Sequence, residues 1–160
     1  MAKTTRPKFP IGTCLATVCW VEFSLSKASN NEMLTWTLQT ELADGTTPKT
    51  YMRGVLTEKA RWKHDEFAIA CGVDPEASFA ARTNPAALLR LWNNKNVKII
   101  TKPDPYIKDD IEYEGVEIAV FDSLDATVRA KLQKRRDARM AGGKVVEAAP
   151  ATGAENEIPF

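Results

Sequence analysis

The sequence predicts an all-β fold with helical insertions, a small barrel followed by a C-terminal helix and a disordered acidic tail. Three observations carry that prediction. Five short runs rich in β-branched and aromatic residues alternate apolar and polar side chains at period two. The long interval between the third and fourth runs carries helix start and stop signals instead. After Gly142-Gly143 the composition turns to Ala, Pro, Thr, Gly and Glu, which bury too little apolar surface to offset the entropy of ordering.

A chain of 160 residues is one domain of ordinary size plus a tail, long enough to bury a core without metals or disulfides. The net charge of +1 conceals an asymmetry. From Ala141 to Phe160 one base (Lys144) stands against three acids (Glu147, Glu155, Glu157), so the tail is −2 and the preceding 140 residues are +3. The cysteines Cys14, Cys19 and Cys71 are odd in number and form no CxxC pair, which suits buried free thiols. The first ten residues are basic with no apolar stretch after them, and no run approaches a membrane span. A reducing intracellular compartment is the expectation.

Met1 to Pro10 reads as a flexible basic arm. Thr13 to Leu25 is a long strand, and Ser26 to Glu32 a turn-rich loop carrying Lys27. Met33 to Leu42 alternates, with Leu34, Trp36, Leu38 and Leu42 on one face and Thr35, Thr37, Gln39 and Glu41 on the other. Asp44-Gly45 marks a turn. Lys49 to Leu56 is a third strand with Met52 and Leu56 toward the core and Lys49, Tyr51 and Arg53 on the other face. Thr57 is expected to cap a helix running to Cys71, with Gly72 as its stop. Asn84-Pro85 opens a second helix ending near Trp92. Asn96 to Lys102 is a fourth strand, and Pro103 to Asp110 a loop carrying Tyr106 and Lys108. Tyr113 to Phe121 is a fifth strand, with Val116, Ile118 and Val120 alternating against Glu117, Ala119 and Phe121. A helix starting at Ser123 or Asp125 runs to Met140 and carries Arg129, Lys131, Lys134, Arg135, Arg136 and Arg139. Three strands, a helical insertion, two strands and a helix is the order of a five-stranded OB-fold barrel. The expected organisation is an arm over residues 1–10, an OB-fold domain over 11–122, a basic helix over 123–140 and a tail over 141–160.

Catalytic signals are weak. His64 is the only histidine, no glycine-rich phosphate loop exists, and Asp109, Asp110 and Glu112 read as a solvated loop before a metal site. No enzyme activity, cofactor or metal is expected. Single strands of nucleic acid are held by cations that track phosphates and by rings that stack on bases. Lys49, Tyr51 and Arg53 supply both on one strand at period two, although an ordinary exposed strand has the same look. Lys27 and the Tyr106–Lys108 loop would close the two rims, since these loops flank the binding face of OB-folds. Trp20 lies opposite Cys19, Val21 and Phe23 and is a candidate ligand-facing ring. Trp36 and Trp92 read as core. Trp62 is either a cap on the barrel end or an exposed stacking ring. The basic helix is a phosphate surface, a solvated face or a dock for the acidic tail.

The last six residues, Glu-Asn-Glu-Ile-Pro-Phe, resemble the C-terminal tip of bacterial single-stranded-DNA-binding proteins. The resemblance implies that Phe160 enters an apolar pocket of a partner while its carboxylate meets a base there. Glu155 and Glu157 would contact a basic rim, and Ile158 and Pro159 complete the tip. The aspartate run of that family is absent, and the linker is short. The layout of residues 10 to 122 is more similar to the small OB-fold single-stranded-DNA-binding proteins of bacteriophages. That likeness implies a sequence-tolerant coat protein for phage DNA replication, recombination and repair in the bacterial host cytoplasm. Its implied partners are single-stranded DNA, replication or recombination proteins at the tip, and further copies of the chain on DNA, with no membrane. The rival expectation is a non-catalytic adaptor that engages host replication proteins through barrel and tail.

Overall fold

The computed structural model describes residues 8–146, with side chains through Ala141. The tail tip and residues 1–7 of the arm lie outside the described residues. Eleven elements follow in order: β1 (Gly12–Leu25), β2 (Glu32–Gln39), β3 (Lys49–Val55), α1 (Arg61–Cys71), α2 (Pro75–Ala80), α3 (Pro85–Trp92), β4 (Asn96–Pro103), β5 (Tyr106–Lys108), β6 (Ile111–Tyr113), β7 (Val116–Asp122) and α4 (Ala126–Val146). Five strands form one antiparallel sheet in the order β3-β2-β1-β4-β7, and β5 pairs with β6 in a separate hairpin.

β1 makes the curl possible. Its 14 residues exceed what one neighbour can pair, so Gly12 to Thr17 pair with β4 and Thr17 to Leu25 with β2. The sheet bends around this shared strand into a half-barrel whose free edges, β3 and β7, approach each other. Strand order, the helices between β3 and β4, and the central split strand are those of the OB-fold.

Two bulges set which side chains face in. Val18 pairs with Leu38 and Trp20 with Thr37, leaving Cys19 as an extra residue. Before it Ala16 and Val18 point into the core; after it Val21 does. Plain alternation would have sent Trp20 inward with Ala16 and Val18, and the bulge turns it out. On β7, Ile118 pairs with Thr101 and Val120 with Ile100, so Ala119 is extra. This corrects the expected alternation: Phe121 is buried and Val120 is exposed.

The core is aromatic. Trp36 of β2 packs on Phe67 of α1 (ring centroids 4.8 Å apart) and on Trp92 of α3 (5.1 Å), and Phe67 meets the edge of Phe121 (5.1 Å). Gly54 leaves room for this cluster, since a Cβ there would lie 3.0 Å from the Trp36 ring. Phe9 is buried against the same core, so the ordered body begins within the expected arm.

The helical insertion differs from expectation at two points. Thr57 caps the turn that leads into α1 and not α1 itself: its Oγ1 accepts from Ala60 N (3.4 Å), its carbonyl accepts from Ala60 N and Arg61 N, and Ala60 takes the N-cap position without a side-chain bond. Gly72 does end α1, at φ 80°, with Val73 N donating to Ala68 O and Gly72 N to Ile69 O. An unexpected short helix, α2, is capped by Asp74 with Pro75 at its first turn. Asn84 caps α3 as expected, its Oδ1 accepting from Ala87 N.

α4 starts at a cap by Asp125, which accepts from Thr127 N and Val128 N, and continues through Gly142-Gly143 to Val146. It was expected to end at Met140. Its own Leu132 is fully buried, and three of its arginines dock on α1. Arg139 donates from Nε and Nη2 to both carboxylate oxygens of the buried Glu66 (2.9 and 3.0 Å). Arg136 lies 3.6 Å from Glu66 and donates to Phe121 O; Arg135 lies 3.5 Å from Asp65.

Candidate nucleic-acid interface

The solvent face of β1, β2 and β3 is built from cross-strand rows. Trp20 pairs with Thr37 and Thr37 with Tyr51, so two rings flank a small threonine in one row. The next row holds Glu22, Thr35 and Arg53, and the row on the other side Thr17, Gln39 and Lys49. Trp20 is 50% exposed and Tyr51 59%, which leaves both rings open to a ligand. Opposite the inward row of Val18, Leu38 and Thr50, this face has no apolar purpose in the core.

The β4–β7 connection is a hairpin where a loop was expected. Asp109 and Asp110 adopt φ 53° and 65°, a two-residue turn in the left-handed region that Asp tolerates. The string Tyr-Ile-Lys-Asp-Asp-Ile-Glu-Tyr from Tyr106 to Tyr113, with a tyrosine at each end and Asp-Asp at its centre, was the overlooked signal. Tyr106 and Tyr113 face each other across the hairpin and stack at 5.2 Å with 18° between planes. Asp104 N donates to Gly115 O at the hairpin base. Gly115 is required by the close approach: a Cβ would meet Asp104 O at 2.8 Å and the Tyr106 ring at 3.1 Å.

A groove of about 370 Å³ runs between β3 and this hairpin, and Tyr51, Arg53, Lys63, Tyr106, Gly115 and Glu117 are among its lining residues. Three expected site residues therefore meet there: Tyr51, Arg53 and Tyr106. Lys49 is exposed one row beyond Tyr51, and Lys108 is exposed at the hairpin tip. Lys27 is exposed in the turn after β1, beyond the row of Arg53, and does not line the groove. Lys63, on the first turns of α1, was missed by sequence reading because it sits beside a helix start, far from any strand pattern. Burial pushes the Lys63 ammonium below its ordinary pKa, and Glu117 partly opposes that.

Other candidate groups have structural duties. His64 is fully buried, its Nδ1 2.7 Å from Asp65 Oδ1 and its Nε2 2.9 Å from Ser78 Oγ. This has the outline of a Ser-His-Asp relay, but Ser78 is itself fully buried and accepts a bond from Trp92 Nε1, so its hydroxyl meets no substrate. Burial pushes Asp65 upward, but hydrogen bonds from His64 and Arg61 outweigh it and hold the carboxyl below its ordinary value. Asp109 and Asp110 serve the hairpin turn, and among the described residues no group of three or more His, Cys, Asp and Glu is placed to hold a metal. Burial raises the thiol pKa of Cys71 and Cys14, so neither is a ready nucleophile. Trp62 lies under the Arg139 guanidinium at 3.9 Å, which ties it to the α4 contact. Of the α4 bases, Arg135, Arg136 and Arg139 are paired with α1 carboxylates, so the helix face is neither simply solvated nor a free phosphate track. Among the described residues no helix is long and apolar enough to cross a membrane.

The outer face of β1, β4 and β7 has a different character. Thr13, Ile100 and Val120 form one cross-strand row, Leu15 stands beside it, and Ile11 precedes β1; the four aliphatic side chains are exposed.

The geometry defines the class as an OB-type barrel with an aromatic and basic face. No family model matches the chain, and no curated protein does. Among solved structures, one titled "Yeast RPA bound to ssDNA" aligns with 88% of this chain and 90% of its own, at 10% identity and a TM-score of 0.41. The fold assignment rests on strand order and pairing, not on that distant likeness.

Proposed function

We propose that this chain binds single-stranded DNA without strong sequence preference, coats it during phage DNA replication, recombination and repair, and recruits partner proteins through its C-terminal tip. The observation that supports this most is the exposed row of Trp20 and Tyr51, with Arg53 and Lys49 on either side and Tyr106 across the groove. Rings stack on bases, worth about 1–3 kcal/mol per base, while the cations meet phosphates. Double-stranded DNA hides its bases from such rings. The tip residues Glu155, Glu157, Ile158, Pro159 and Phe160 would take the partner, and the chain would act without catalysis or cofactor.

The test is fluorescence anisotropy of labelled oligo-dT and of duplex against the full chain at low and high salt. The expected result is tight single-strand binding, weak duplex binding and a steep loss with salt. A non-catalytic adaptor is the second reading, favoured by the exposed Ile11, Leu15, Ile100 and Val120 face. It predicts no oligonucleotide binding at low salt, even after the tail is removed to exclude competition.

A further inference from the structure

The groove between β3 and the β5–β6 hairpin has a lining that a phosphate does not suit. Beside the rings of Tyr51 and Tyr106 it holds two cations, Arg53 and Lys63, and two anions, Asp104 and Glu117. A phosphate there would share the groove with two acidic residues, and like charges repel more strongly where water is partly excluded. A nucleobase has no such conflict. Its faces suit aromatic rings, and its edge presents N–H donors beside carbonyl acceptors, matching carboxylates beside cations.

Size and placement agree. About 370 Å³ lies near the lower end of small-molecule sites, which run from about 300 to 1,000 Å³, and suits one base with its sugar. Glu117 is flanked by two lysines: Lys102 Nζ is 3.7 Å from its Oε2, and Lys63 interacts with it electrostatically. Glu117 thus belongs to the groove's lining and has the ammonium of Lys102 beside it and that of Lys63 within electrostatic reach. Among the bases, guanine alone sets two N–H donors side by side, matching two carboxylate oxygens, with a carbonyl adjacent that suits an ammonium.

We propose that this groove is a one-base pocket that prefers guanine, with the base stacked against Tyr51 and Tyr106, Glu117 accepting from N1–H and N2–H, and Lys63 donating to O6. Arg53, exposed in the same lining, remains for the adjoining phosphate. The inference rests on the single-stranded-DNA reading and adds a local base preference to an otherwise tolerant surface. It also gives Lys63 a purpose: a half-buried ammonium short of water gains a partner when the base enters.

The experiment uses the full chain and three labelled oligonucleotides: all-thymidine, and the same strand with one central guanosine or one central adenosine. One guanosine avoids G-rich structures. The expected result is about fivefold tighter binding of the guanosine strand than of the other two, the low end of what a bidentate base contact gives. Glu117→Gln is expected to erase that ratio, so that the guanosine strand binds no more tightly than the other two, whatever the change common to all three strands. Equal affinity of the wild-type chain for all three strands overturns the pocket while leaving single-strand binding intact. An increase on Glu117→Gln that is uniform across strands, with the ratio retained, also overturns it and points to phosphate in the groove. Absence of binding to every strand overturns the underlying reading as well.

Discussion

Removing the Tyr51 ring separates the stacking account from a purely electrostatic one. Tyr51→Ala is expected to weaken oligo-dT binding by about 1–3 kcal/mol, while Tyr51→Phe keeps most of the affinity, since the face of the ring does the stacking. Anisotropy titration reads both, and an equal loss in the two variants would assign the effect to the hydroxyl. Arg139 carries a different prediction. Glu66 is fully buried and bonded by both Arg139 nitrogens, so Arg139→Ala strands a buried carboxylate. The expected cost in urea unfolding is about 3 kcal/mol, at the low end for a broken buried pair because Arg136 stays nearby. Glu66→Gln combined with Arg139→Ala is expected to recover part of it. Asp65 gives the pH dependence. Its folded-state pKa is held below the ordinary 3.8, so its contribution is full above that value and is lost as pH falls through the lower folded value. Thermal melts in that acid window are expected to show a flatter decline for Asp65→Asn than for the wild type.

At the scale of elements, strand existence was legible and strand detail was not. The periodicity of Leu34, Trp36 and Leu38 and of Lys49, Tyr51 and Arg53 is local, and both faces came out as read. Bulges are not local: Cys19 and Ala119 are extra residues only relative to a partner strand, so the orientation of Val120 and Phe121 depends on register that one strand does not encode. The β5–β6 hairpin was missed because Asp109-Asp110 lacks the glycine that usually announces a two-residue turn, although both residues take positive φ. The role of the basic helix stayed open in the sequence because the partners of Arg135, Arg136 and Arg139, Asp65 and Glu66, lie on α1, far away along the chain. Of the groove's lining residues, Tyr51, Arg53 and Tyr106 were named from chemistry and pattern, whereas Lys63 and Glu117 join them only through the closure of β3 toward β7. Gly115 tests that closure. Gly115→Val has no room beside Asp104 O and Tyr106, so it is expected to displace the hairpin and weaken oligonucleotide binding severalfold with little change in far-ultraviolet circular dichroism. Unchanged affinity would remove the hairpin from the interface.

The whole molecule joins a compact barrel to a tail of opposite charge. The first 140 residues carry +3 and the tail −2, so the tail is expected to compete weakly with DNA for the barrel. Deleting Glu155 to Phe160 is expected to leave DNA affinity equal or higher while abolishing partner binding; a deletion that loses DNA binding counts against this division of labour. On the proposed reading the two roles fall on different parts of the chain, the aromatic face on β1 to β3 with the hairpin and partner recruitment on the C-terminal tip.

The most direct test of the central claim is titration of the wild-type chain and of Tyr51→Ala/Arg53→Ala with oligo-dT and with duplex of equal length, at two salt concentrations. Tight single-strand binding by the wild type is predicted, weakening with salt and strongly reduced in the double variant, with little response to duplex. Equal binding by the two proteins, or preference for duplex, would contradict the assignment of the β1–β3 face and its groove to single-stranded DNA.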